Sequence, residues 1–481
     1  MMRKIHKLIA LTIVASWTGM TGAQVKLPAL ISDGMMLQQQ TEVKLWGWCA
    51  PNSEVSVTPS WEGATAAQTL SDNDGRWTVR LQTPVGGFDT YEISFCQGGQ
   101  ETRVTNVMVG EVWLASGQSN MEMPLEGFDG CCIQDGLDAA IGAADQEGVR
   151  FFVVPRRHAY SPLYNIDAVW QDTHDFRQVM KWSAVAYHYA SQLSRALRMP
   201  VGIVECAYGG TRVESWLPRE ILDGYEDIET DSVKVAQQLP DYERQMAVYY
   251  GMFCAIKGYT VKGMIWYQGC SNVQTYQTYA DRLTTMVGLW REEMESGEIP
   301  FYFVEIAPFQ YGTGDEARAA RLREAQHQTL QTITNSGMVS TNDLVEPYEL
   351  YNIHPRNKQT VGHRLCWLAL HKTYGYTEVC CEGPQYKQLT IKGNEAWVAF
   401  DHLQKGICRN TALEGFELAG EDRVFHPADK AWLHWQTNEV VVSSEQVSAP
   451  VAVRYCFRDF QPGTLKGGNE LPAIPFRTDD W

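Results

Sequence analysis

From about residue 109 to about 375 the sequence alternates short apolar runs with longer segments of helical period. This alternation limits the folds open to the chain more than any other feature. Trp182, Val185, Ala186, Tyr189, Leu193 and Leu197 recur at helical spacing through 182–198, and Pro200 then stops the helix. The run VGIVEC at 201–206 follows as a buried strand. VKGMIWY (261–267), PFYFVEIA (300–307) and MVST (338–341) are further strands, with a long helix predicted over 316–332. Strands separated by helices pair in parallel, because the crossover between them needs a helix's length of chain. A parallel sheet presents its ligand groups just past the carboxyl ends of its strands.

The flanks have a different texture. Residues 24–108 carry VKLWGW (43–48), VSVT (55–58), WTVRL (77–81) and YEISF (91–95), which alternate at period two between turn signals such as Pro51-Asn52 and Gly86-Gly87. They predict a small antiparallel β-sandwich. Residues 376–481 return to short alternating strands, among them QLTI (388–391), AWVAF (396–400), VVVS (440–443) and VAVRY (451–455), a second all-β unit. At the N-terminus, Lys4, His6 and Lys7 precede an apolar stretch over 8–17 that ends in Thr21, Gly22 and Ala23. Residues 1–23 therefore read as a secretory signal peptide, since about ten apolar residues are too few to span a bilayer. The expected organisation is a signal peptide (1–23), an N-terminal β-sandwich (24–108), an α/β unit (109–375) and a C-terminal β unit (376–481). The mature protein is expected to be exported, to the periplasm or beyond the cell.

A formal charge of −17 argues against nucleic acid or an anionic membrane as partner, since both call for a basic patch. Twelve cysteines in an exported chain are enough for disulfides, but their spacing is irregular and gives no connectivity. No pattern of cysteine and histidine spacing points to a metal, and no cofactor is expected. Many tryptophans and tyrosines suit a sugar-binding cleft, although most such rings serve as core.

Within the α/β region, the apolar run VMVGEVWLAS (107–116) delivers Ser119 into the turn Gly117-Gln118-Ser119-Asn120-Met121. A serine hydroxyl is a weak nucleophile until a base takes its proton and N–H groups receive the charge on the substrate oxygen. A sharp turn after a strand exposes both the hydroxyl and the serine's own N–H. Gly209-Gly210 and the segment Gln268 to Asn272 occupy equivalent positions after other strands, so three segments converge on one edge. Of eleven histidines, His354 is the best candidate for the base, because it lies on a loop after the last predicted strand and before a helix around 359–369.

The blocks GQSNMEMP (117–124), GGTRVESW (209–216), WYQGCSN (266–272) and IHPRNK (353–358) resemble those of the sialate O-acetylesterase family within the SGNH hydrolases. SDGMMLQ (32–38), LWGW (45–48), Arg454-Tyr455 and PFRTDDW (475–481) extend the resemblance over nearly the whole mature chain. It implies a three-layer, SGNH-hydrolase-like parallel sheet domain flanked by all-β domains. It implies a serine esterase removing O-acetyl groups from sialic acids, with acetyl-xylan or another acetylated carbohydrate as the alternative substrate. Ser119 would be the nucleophile and His354 the base. Oxyanion donors would be the Ser119 N–H, the Gly209-Gly210 turn, and the side-chain amide of Asn272 or Gln268. Two positions depart from the family pattern: Cys270 stands where glutamate is usual, and Asn352 where an aspartate usually precedes the histidine by two residues. Asparagine cannot stabilise an imidazolium as aspartate does. Either the enzyme is weak, or Asp343, Glu346 or a backbone carbonyl orients His354. A carbohydrate-binding protein that has lost its chemistry is the reading from another class. Arg212, beside the proposed oxyanion site, is placed to clamp the carboxylate of a sialic acid, unless Glu214 or another acid already holds it.

Overall fold

The computed structural model describes residues 24–481 except 313 and 315; the signal peptide expected over 1–23 lies outside the described residues. The architecture is mixed α/β, with a central, mostly parallel sheet and additional all-β sheets. The elements that position the candidate site are, in chain order, β1 (Gln100–Gly117), α1 (Ser119–Glu122), β2 (Val149–Val153), α2 (Ala184–Leu197), β3 (Val201–Ala207), β4 (Gly263–Tyr267), α3 (Tyr276–Glu293), β5 (Phe301–Val304), α4 (Arg318–Gln328), β6 (Ser336–Val339) and α5 (Lys358–Leu368). The parallel strands run in the order β6-β5-β4-β1-β3-β2. Trp170–Gln171 closes the β2 edge in antiparallel sense.

Alternation along each strand sorts its side chains to two faces. Trp113 and Ala115 of β1 and Ile265 of β4 pack with α2 and α5 on one side. Val112 and Leu114 of β1 and Met264 and Trp266 of β4 pack with α3 and α4 on the other. Both faces are covered, so β3 and β4 are buried at every residue. Those runs therefore read as continuous apolar segments in the sequence.

β1 is eighteen residues long, and the expected junction at 108/109 falls inside it. Its first half pairs with Gly87–Gln97 and with Met36–Gln38, and its second half with β3 and β4. The N-terminal strands thus continue the central sheet, and a two-stranded ribbon of Glu42–Trp48 and Arg76–Gln82 packs alongside with Val43, Leu45 and Val79 in the shared core. At the other end, two four-stranded sheets enclose a separate core that includes Val398, Val440, Leu418, Val453 and Phe476. All twelve cysteines are free thiols. Among the described residues no helix is long and apolar enough to cross a membrane.

Candidate active site

Register places Gly117, Ala207 and Tyr267 side by side at the carboxyl ends of β1, β3 and β4. Gly117 has a φ of +138°, and a Cβ there would lie 2.2 Å from the Tyr267 carbonyl oxygen. Only glycine lets β1 end against β4 in this way. Gln118 then turns inward: its N–H donates to Tyr267 O at 3.0 Å, and its Oε1 accepts from the Gly269 N–H at 2.8 Å. Ser119 opens the one-turn helix α1, where the first N–H groups have no intrahelical acceptor. Its hydroxyl Oγ lies 2.8 Å from Nε2 of His354.

His354 reaches this point from the loop between β6 and α5. Asn352 holds that loop by its backbone: its Oδ1 accepts from the His354 N–H at 3.1 Å, and its Nδ2 donates to the His354 carbonyl at 2.9 Å. The Cys131 thiol donates to the same Oδ1 at 3.6 Å, and the Phe128 ring makes a T-shaped contact with the imidazole, ring centres 5.2 Å apart. Burial, reinforced by the charge of Lys358, lowers the His354 pKa from its usual 6.5 to about 4. The imidazole is therefore unprotonated across the neutral range. The same shift makes it a weaker base than one tuned to neutral pH.

The two carboxylates expected as orienters bond elsewhere. Both oxygens of Asp343 are held by the Arg364 guanidinium, at 2.7 and 2.8 Å, and Lys466 adds a contact at 2.9 Å. Burial pushes the Asp343 pKa up, but these two cations outweigh it and hold the carboxyl below its usual range. Glu346 caps the turn Pro347–Glu349 through a capping box with Glu349, and Asn352 bonds the backbone of His354 rather than its ring.

The expected side-chain oxyanion donors are also committed. Gln268 Nε2 donates to Thr211 O and to Asn272 Oδ1, at 3.0 and 2.8 Å. Asn272 Nδ2 donates to Glu214 Oε2 at 3.0 Å. That carboxylate is also the buried ion-pair partner of Arg282. Both amides are wholly buried and serve to brace the turn after β4 against the turn after β3. The Gly209 N–H is taken by Glu122 Oε2 at 2.8 Å. The N–H groups of Ser119 and Gly210 have no acceptor among the described residues. Gly210 sits at φ +80°, with the Tyr242 ring where a Cβ would be. Arg212 pairs with Glu243 at 2.6 Å, not with Glu214, and is one-third exposed.

Three further residues complete the arrangement. Glu122 ties α1 to the glycine turn and also accepts from Arg156. Asn120 donates to the Ile353 carbonyl at 2.9 Å, and Lys358, buried at the start of α5, donates to Asn120 Oδ1 at 2.5 Å. Their sequence signals were spacing: Glu122 is three residues after the serine, and Lys358 four after the histidine. Chemically, the arrangement can deprotonate a hydroxyl beside two backbone donors, which suits acyl transfer.

Comparison with known proteins gives the family. The family described as carbohydrate esterase, sialic acid-specific acetylesterase matches residues 109–370, more than half of the chain. The chain belongs to this family. It is a carboxylic ester hydrolase. It is 25% identical to the sialate O-acetylesterase of Pongo abelii, over 95% of this chain and 92% of that one. It is 24% identical to the sialate O-acetylesterase of Mus musculus, over 97% of each. Among solved structures, a carbohydrate acetylesterase from Xanthomonas citri superposes with a TM-score of 0.83 at 32% identity, covering 95% of this chain and all of that one.

Proposed function

We propose that the protein is an exported serine esterase that removes O-acetyl groups from sialic acids. Residues 109–375 form an SGNH-type three-layer catalytic unit, and the β units 24–108 and 376–481 support it. Ser119 Oγ attacks the acetyl carbonyl while His354 Nε2 takes its proton. The oxyanion of the tetrahedral intermediate accepts from the Ser119 and Gly210 N–H groups. Collapse breaks the ester bond, His354 returns the proton to the departing sugar oxygen, and an acetyl-serine remains. Water, deprotonated by the same imidazole, then releases acetate. The observation that carries this reading is the 2.8 Å Ser119–His354 contact at the strand edge. The same contact weighs against a protein that only binds carbohydrate, since a binding site needs no base on a serine.

A second reading, deacetylation of a neutral sugar such as acetylated xylan, draws support from Arg212. Its guanidinium is already neutralised by Glu243, so a sialic acid carboxylate would have to displace that partner. The test is hydrolysis of O-acetylated sialic acid and of an acetylated xylose oligomer by wild type, Ser119→Ala and Arg212→Ala. Ser119→Ala is expected to abolish both activities while folding is retained. A loss confined to the sialic acid in Arg212→Ala supports the clamp, and a wild-type preference for the neutral sugar overturns the sialate reading.

A further inference from the structure

Lys358 is an unusual residue to find where it is. It is 1% exposed, and among the described residues no carboxylate lies within ion-pair distance of it. It also occupies the first position of α5, where the helix dipole disfavours a cation. Buried charges are ordinarily paired, because leaving water is expensive. Such a placement calls for a return elsewhere, and the ammonium's contacts show what it is.

The lysine ammonium can only donate, so its bond at 2.5 Å fixes the oxygen of the Asn120 amide toward Nζ. The NH2 end of Asn120 must then point the other way, where it donates to the Ile353 carbonyl at 2.9 Å. Asn120 follows Ser119 and Ile353 precedes His354. One buried amide therefore joins the nucleophile turn to the histidine loop, and Lys358 decides which way that amide faces. Among the described residues no acidic group contributes to the charge environment of His354, whereas Lys358 does. The other groups facing the ammonium are the Cys270 thiol from the turn after β4, the Cys131 thiol, the Glu349 carboxylate, and the Tyr267 ring with its centre 5.5 Å away.

We propose that Lys358, acting through Asn120, is a positioning residue for ester hydrolysis, locking the histidine loop to the nucleophile turn and controlling the charge on the imidazole. The proposal rests on the assignment of Ser119 and His354 given above. Burial lowers the Lys358 pKa to about 7, while Cys270, Glu349 and Cys131 act to raise it. A single carboxylate placed at Cys270 would stabilise the ammonium and offset its charge at the imidazole.

The test measures kcat and KM for a soluble activated acetyl ester from pH 3.5 to 8, with thermal melting of each variant. The variants are Ser119→Ala, Lys358→Met, Lys358→Arg and Cys270→Glu. The acid limb of kcat/KM reports the histidine of the free enzyme. In Lys358→Met, kcat should fall about 10- to 100-fold, as expected when catalytic groups are misplaced by roughly an ångström. KM should change little. The acid limb should move upward, on the order of one pH unit, as the nearby cation is lost. Lys358→Arg, which keeps the cation, should hold the limb low. Cys270→Glu keeps the lysine and compensates its charge, replacing the sulfur that accepts from Asn120 Nδ2 at 3.9 Å with a stronger acceptor, so it should raise the limb while the Lys358–Asn120 bond is kept. An acid limb that stays at the wild-type position in both Lys358→Met and Cys270→Glu overturns the proposal. If Lys358→Met does not fold, Cys270→Glu decides alone. Activity surviving in Ser119→Ala instead overturns the site assignment, so the two failures are distinguishable.

Discussion

Asn352 shows how far a residue's meaning depends on which atoms face each other. In the sequence it stands where an aspartate would hold the imidazole, so Asn352→Asp reads as a repair. In the structure its amide spans the N–H and the carbonyl of His354, one bond to each. A carboxylate would keep the first bond and set a negative oxygen against the carbonyl in the second. Asn352→Asp is therefore expected to leave kcat at or below the wild-type value; a rise of tenfold or more would mean that residue 352 reaches the ring. His354 makes the companion prediction. With its pKa lowered to about 4 by burial and by Lys358, the base form persists well below neutrality. The kcat/KM profile should stay flat from pH 7 down to about 5 and fall through about pH 4. A half-maximal point near pH 6.5 would show an ordinary exposed imidazole and contradict the packing.

At the scale of elements, three turns were legible because parallel sheets deliver functional groups at strand ends, and each turn followed an apolar run too continuous to be anything but a buried strand. The bonds between those turns were not legible, since they depend on which amide each side chain happens to face. Gln268 and Asn272 read as oxyanion donors in the sequence, whereas in the structure both amides bond across the turns after β3 and β4. Glu122 does equivalent work between α1 and the glycine turn, through Gly209 N–H and Arg156. Removing it frees the Gly209-Gly210 turn that carries the proposed oxyanion donor. Glu122→Ala should lower kcat by about 10²-fold, the size of effect that follows from misplacing a preorganised donor. KM should stay within a few-fold and melting should shift little. An unchanged kcat would show that Gly209 is held by the strand end alone.

For the molecule as a whole, the alternation pointed to a mixed α/β architecture with a central parallel sheet and further all-β sheets, because period-two and continuous apolar runs report burial directly. How the units are fastened together was hidden, since the fastening residues are charges that look like surface in a sequence. Asp343 is the clearest case. It is packed against Arg364 of α5 and Lys466 of the C-terminal β unit, and Asn342 beside it donates to Ala473 O at 3.2 Å. Breaking a buried pair by removing one partner leaves the other charge stranded, at a cost of about 3–5 kcal/mol. Asp343→Ala should therefore lower the apparent melting temperature by several degrees, while kcat/KM of the folded fraction at low temperature stays within a few-fold of wild type. The pH dependence carries the sign. The folded-state pKa of Asp343 is depressed, so its contribution is complete above the ordinary aspartate value of about 4 and is lost as pH falls through the lower folded value. The gap in melting temperature between wild type and Asp343→Ala should thus be full at pH 6 and shrink below about pH 4. A variant that melts like wild type yet has lost its chemistry would place Asp343 on His354, and the anchoring role described here would fall.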